Sequence, residues 1–148
     1  MASSAASPPQ HTFVITTRVY FQDTDAGGIV YHARFLDFFE RARMDWLRAL
    51  DMPVRRLAAE ADVLFIVRSL EIDYLAPARL DDELQIAVDL LEVRGARLLL
   101  AQSATREGER LVEARVQLAC VGRESLHPTR IPTTLRSRLS AAAPSHGA

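Results

Sequence analysis

The hydrophobic period of this chain changes at one place, and that change confines the fold more than any other feature. From about His32, the residues Phe35, Phe38, Phe39, Ala42, Trp46, Leu47 and Leu50 recur at the spacing of one helix face, with Arg34, Asp37, Arg41 and Arg48 opposite. The stripe predicts a helix of about 19 residues ended by Pro53, with 54–60 adding a helical turn or two. Its inner face is too aromatic to stand in water, so something must cover it. The rest of the folded chain alternates with the period of strands. Phe13, Ile15, Val19 and Phe21 share one parity, and 63–75 reads as a second strand before Pro77 breaks it. Leu84, Ile86, Val88 and Leu90 alternate within 83–94. A turn at Arg94-Gly95-Ala96 then sends 97–105 back, and Glu107-Gly108-Glu109 reverses the chain again. Val112, Ala114, Val116, Leu118 and Cys120 share one face of 111–121, while Glu113, Arg115 and Gln117 lie on the other. Strand, long helix, then four antiparallel strands predicts an α+β domain in which one sheet of about five strands wraps a central helix.

With 148 residues, 49% of them hydrophobic, one core is expected, over 12–139. Residues 1–11 and 140–148 are rich in Ser, Ala, Pro and Gly and read as disordered tails. A net charge of −1 opposes nucleic-acid or membrane-surface binding, which needs a strongly basic face. No apolar run reaches the ~18 residues of a membrane span. The opening residues have neither the basic start nor the apolar stretch of a secretory signal, and one cysteine makes no disulfide framework. A cytoplasmic protein is expected.

Absent residues exclude whole chemistries. All 18 basic residues are arginine, so no lysine can form a Schiff base, anchor pyridoxal phosphate or serve a phosphate loop. The chain has no asparagine for a Cys-His-Asn arrangement, and Cys120 sits in an alternating core run. There is no G-x-S-x-G elbow. The histidines at 11, 32, 127 and 146 make no H-x-x-x-H pair, and a single cysteine cannot build a thiolate zinc cage. Neither a metal nor a redox cofactor is expected.

The segment Asp23-Thr24-Asp25-Ala26-Gly27-Gly28-Ile29-Val30-Tyr31-His32 lies where the first strand gives way to the helix. A helix start offers unpaired N–H groups and the positive end of the dipole, which polarise a docked carbonyl oxygen. A nearby upstream carboxylate can attack the polarised carbon or activate water to do so, which is acyl-transfer chemistry. Gly27 and Gly28 suit a tight turn and equally a backbone that approaches a ligand. Asp23 reads as the acid that satisfies loop N–H groups. The D-x-D-x-G order is not a calcium loop, because Gly27 and Arg34 replace later oxygen ligands. Glu40 and Arg43, three residues apart on the helix, are expected to pair. Arg68, Arg79, Arg94 and Arg97 carry the bidentate donors that coenzyme A phosphates need.

The run VYFQDTDAGGIVYHARFLDFFERAR, followed by FIVRSLEIDYLAPARLDDEL and the strands after it, resembles the hotdog-fold acyl-CoA thioesterases over about residues 14–135. It is most similar to the Tol-Pal-associated, YbgC-type branch, with the hydroxybenzoyl-CoA thioesterases as relatives. The resemblance implies a hotdog fold and hydrolysis of acyl-CoA, with short-chain or aromatic acyl groups, to free acid and CoA. It places the catalytic carboxylate at Asp25, as nucleophile or general base. The carbonyl-polarising N–H falls at Tyr31 and His32, the loop glycines at Gly27 and Gly28, and CoA phosphates on Arg68 and Arg97. It also implies a homodimer or a homotetramer built as a dimer of dimers, with active sites at the dimer interface. No cofactor is implied beyond the coenzyme A of the substrate. Two other functions share this pattern: hydrolysis of thioesters carried on acyl carrier protein, and non-catalytic thioester binding linked to the cell envelope. Phe21 and Gln22 depart from the branch, which often has a tyrosine and an acid there, and so remove a hydroxyl expected near the acyl group.

Overall fold

The computed structural model describes residues 11–142; of the tails expected at 1–11 and 140–148, residues 1–10 and 143–148 lie outside the described residues. The chain runs through strand β1 (Phe13–Arg18), a 3₁₀ turn at Phe21–Asp23 and helix α1 (Arg34–Ala49). Helix α2 (Val54–Arg56) continues into a π-helical turn at Leu57–Ala61. Strands β2 (Val63–Tyr74), β3 (Glu83–Arg94), β4 (Arg97–Arg106) and β5 (Glu109–Gly122) follow, and α3 (Thr133–Ala142) ends the described chain. The strands form one antiparallel sheet in the order β1-β3-β4-β5-β2. Both expected turns are present. Glu107 and Gly108, at φ 49° and 82°, supply the two positive φ angles of a type I′ hairpin, whose twist matches the flanking strands.

The expected alternation decides which face is dry. Leu84, Ile86 and Val88 on β3 and Val116 and Cys120 on β5 are fully buried on the inner face of the sheet, in one core with Phe35, Phe38, Phe39, Ala42, Trp46 and Leu47 of α1. Burying each such large side chain contributes roughly 1.5–3 kcal/mol. The helix is not centred on the sheet. It leans on β3, β1 and β4, so the inner face of edge strand β2 is only half covered, with Phe65, Leu70 and Ile72 partly exposed. The first strand is shorter than its parity suggested: Val19 is buried, but Phe21 lies on the 3₁₀ turn, 82% exposed.

The Glu40–Arg43 pair expected on α1 does not form. Arg43 turns inward, and its Nη1 donates to Gln102 Oε1 on β4 (2.9 Å); Gln102 Nε2 donates in turn to the Phe39 carbonyl (3.1 Å). Burial lowers the Arg43 pKa, with the charge of Glu40 opposing it. The polar bridge satisfies a side chain, Gln102, that would otherwise be stranded between helix and sheet.

Helix α3 has no counterpart in the expected strands, and it takes residues 140–142 out of the tail and into the fold. Leu135 and Leu139, one turn apart, are fully buried. Arg138 Nη1 donates to the carbonyls of Leu50 (3.0 Å) and Asp51 (3.2 Å), satisfying acceptors at the end of α1 and placing a cation at its negative pole. At the other boundary His11 is likewise held, with Nδ1 2.8 Å from Asp89 Oδ2.

Candidate active site

Two segments far apart in sequence meet beside the start of α1. One is the loop after the 3₁₀ turn; the other is a strap, 75–79, that leaves β2 and crosses the ends of β5 and β4 toward β3. The Val30 N–H donates to the Ala78 carbonyl (2.9 Å), and Ile29 forms a bridge with Arg79.

The loop is closed by its own backbone. Thr24 bridges Val30, the Asp25 N–H donates to the Ile29 carbonyl (3.0 Å), and the Gly28 N–H donates to the Asp25 carbonyl (3.0 Å). That path needs φ +78° at Gly28, a left-handed conformation in which a side chain is strained. Asp25 Oδ1 accepts the Gly27 N–H (2.9 Å), and a Cβ on Gly27 would stand 3.1 Å from the same oxygen. The two glycines therefore serve different needs: one makes the turn, the other leaves room for the carboxylate. Asp25 is exposed, and its Oδ2 has no hydrogen-bond partner among the described residues.

Asp23 is its opposite, 3% exposed. Its Oδ2 accepts the Tyr20 N–H (2.8 Å), its Oδ1 lies 3.5 Å from Arg34 Nε, and its carbonyl accepts the Tyr31 N–H (2.9 Å). This acid holds both ends of the loop that carries Asp25. Tyr31 is consequently not a free donor. The next N–H, that of His32, has no acceptor among the described residues and stands at the positive end of α1.

Tyr74, the last residue of β2, went unassigned in the sequence. Its hydroxyl donates to the His32 carbonyl (2.9 Å), and its ring meets those of His32 and Phe35 edge-on, with centroids 6.2 and 6.0 Å away. Burial pushes its phenol pKa up, so it remains a donor. Only the stretch YLAPARLDD hinted at it, and nothing local to that stretch tells that it folds back on the helix start.

Together these residues bound a cleft of about 430 Å³. Asp25, His32 and Tyr74 carry its polar atoms. Buried Val30 and Phe35 form its floor, and Leu75, Ala76, Pro77 and Ala78 face them. A carboxylate with a free oxygen, an unpaired N–H and apolar walls suit a carbonyl compound with a hydrophobic substituent. Cys120 offers no rival nucleophile, since burial pushes its thiol up to about 11. A second groove of about 330 Å³ on the outer face of the sheet is lined by both acids and arginines, among them Glu71, Asp73, Asp89 and Arg115.

Arg68 and Arg97 do not join the cleft. Arg68 occupies a bulge in β2, six residues before Tyr74 and so roughly 20 Å along the strand. Arg97 opens β4, opposite Ala119 of β5, beside Glu92 and Gln117. Phe21 and Glu40 also lie outside the residues that line it.

The model of the thioesterase-like superfamily matches residues 19–139. The acyl-CoA thioesterase YbgC of Haemophilus influenzae is 42% identical over 125 residues, covering 84% of this chain and 92% of that protein. The acyl-CoA thioester hydrolase YbgC of Escherichia coli is 42% identical over 119 residues, covering 80% and 88%. Among solved structures, a probable thioesterase from Bartonella henselae aligns with a TM-score of 0.77 at 37% identity, covering 80% of this chain and 98% of that one. Sheet order, central helix and these matches agree: the chain is a hotdog-fold protein and belongs to the thioesterase-like superfamily.

Proposed function

We propose that this protein hydrolyses acyl-CoA thioesters to the free acid and CoA, and that the cleft between loop and strap is its active site. The observation that carries the reading is the juxtaposition of Asp25, with a free carboxylate oxygen, and the unpaired His32 amide in one cleft with apolar walls. The thioester carbonyl accepts the His32 N–H, which draws charge from the carbon and stabilises the oxyanion as it forms. Asp25 either attacks that carbon directly or takes a proton from the attacking water. Tyr74 holds the His32 carbonyl and so orients this stretch of backbone. Gly27 and Gly28 shape the turn. Neither metal nor cofactor enters the reaction. Coenzyme A is favoured over acyl carrier protein because the relatives at 42% identity are named for acyl-CoA. The substrates proposed are short-chain or aromatic acyl-CoA, which the apolar walls Val30, Phe35, Leu75 and Pro77 would receive.

The test is thiol release from a panel running from acetyl- to palmitoyl-CoA with 4-hydroxybenzoyl- and phenylacetyl-CoA. Turnover is expected on the small or aromatic members; silence across the panel overturns the reading.

The active unit is at least a homodimer, with a dimer of dimers as its larger form. Support comes from β2, a twelve-residue edge strand with Ile66 and Val67 about half exposed, and from the displacement of α1 away from it. A second copy of β2 alongside would extend the sheet and cover that face. It would also be the route by which Arg68 could reach a neighbouring cleft and its CoA phosphates; Arg97, two strands further in, lacks it. Sedimentation at micromolar concentration should give a dimer or larger, and a monomer alone would sink this arrangement. A cytoplasmic location follows from the same reading, with one buried thiol and no disulfide in place. No helix of the described residues is long and apolar enough to cross a membrane.

A further inference from the structure

Arg106 ends β4, in an element that carries neither Asp25 nor His32. Its Nη1 donates to Asp82 Oδ2 (2.6 Å) and to the Pro77 carbonyl (3.3 Å), while Nη2 donates to Glu109 Oε2 (3.0 Å). Asp82 Oδ2 also accepts the Arg79 N–H (2.8 Å). Both the middle and the far end of the strap therefore converge on one guanidinium. The near end is tied separately, by the Leu75 and Ala76 N–H groups to the Leu111 carbonyl (2.8 and 3.1 Å). Among the described residues, no other side chain donates to a carbonyl of 75–79. Burial raises the Asp82 pKa, but the Arg79 amide and the Arg106 guanidinium outweigh it and hold the carboxyl below its usual range. The anchor is thus charged on both sides at neutral pH.

We propose that Arg106, acting through Asp82 and the Pro77 carbonyl, is a positioning residue that holds the strap at the width the acyl group requires. This rests on the thioesterase reading above. Pro77 and Ala78 form the apolar wall, and a wall contacts the acyl group equally in ground and transition states. Asp25 and His32 are held mainly by the bonds inside the loop, by Asp23 and by Tyr74. The loop meets the strap through backbone alone, at the Val30 N–H and the Ile29–Arg79 bridge, and among the described residues no strap side chain donates to the Asp25 carboxylate. Loosening the anchor therefore weakens substrate binding and leaves the chemical step in place.

The experiment compares R106Q, R106K, D82N and E109Q with the wild type on the acyl-CoA it turns over best. R106Q and D82N should each raise KM on the order of tenfold with kcat within about twofold, the pattern of lost uniform binding. The double variant should be no worse than the poorer single, because both remove one shared link. R106K should fall between: it keeps the charge but replaces a rigid fork by a point donor. E109Q touches the same guanidinium without touching the strap and should leave KM unchanged. An unchanged KM in R106Q and D82N overturns the proposal, as does a fall in kcat without a rise in KM. If the wild type releases thiol from no acyl-CoA, the thioesterase reading fails, and amide hydrogen exchange decides the positioning role. In R106Q the Val30 amide, bonded to Ala78, should then exchange at least tenfold faster, and unchanged protection would overturn the proposal.

Discussion

Asp25→Asn should lower kcat for acyl-CoA hydrolysis by at least the ~10²-fold typical of a positioned acid–base or nucleophilic group. The substitution keeps the shape of the side chain and its hydrogen bond from the Gly27 N–H to Oδ1, while removing the charge and replacing the free Oδ2 by an amide. Binding should survive, because the wall residues and the His32 amide are untouched, so acyl-CoA affinity should change by well under tenfold. Asp23→Asn is the control. Its carboxylate is buried, accepts the Tyr20 N–H and faces Arg34, so losing the charge should cost stability more than turnover. Steady-state kinetics with a folding check on both variants separates the acids. A folded but inactive Asp23 variant beside an active Asp25 variant would show that the two roles are reversed.

Replacing Leu135 and Leu139 together by alanine should bring the protein close to unfolding at room temperature. Both side chains are fully buried, and a buried leucine cut to alanine costs about 2–5 kcal/mol. A domain of this size holds only about 5–15 kcal/mol in total. The loss is compounded if α3 detaches, because Arg138 then leaves the Leu50 and Asp51 carbonyls unpaired. Denaturant titration should show a large drop in midpoint for the double variant and about half of it for each single. An unchanged midpoint would mean that α3 is not part of the stable fold.

These two predictions lie on opposite sides of what a linear chain discloses. The elements were legible because periodicity is a local property. Seven apolar residues along one helix face, and five along one face of a strand, are runs that only one secondary structure can bury on a single side. The hairpins were legible because Gly95 and Gly108 fall between such runs. Asp25, Gly27, Gly28 and His32 were legible as a group because loop and helix start are contiguous, and the chemistry of a helix terminus does not depend on the rest of the fold.

Tertiary structure decided whatever depends on a partner distant along the chain. Two leucines in a ten-residue segment after Pro132 are too few to define a period, and only the pocket they fill turns 133–142 into a helix. Tyr31 and His32 are alike in sequence as donors; the Asp23 carbonyl, eight residues upstream, takes one N–H and leaves the other. Arg43 had an acid at helical spacing, yet the buried Gln102 drew it inward, because an unsatisfied amide in the core costs more than a solvent-exposed ion pair returns. Tyr74 and Arg106 reach the cleft and its strap through contacts spanning 42 and 29 residues, to His32 and to Pro77. Local pattern reports which face of an element is buried; which atoms meet across elements is set by the packing of that face, and the candidate site is assembled there.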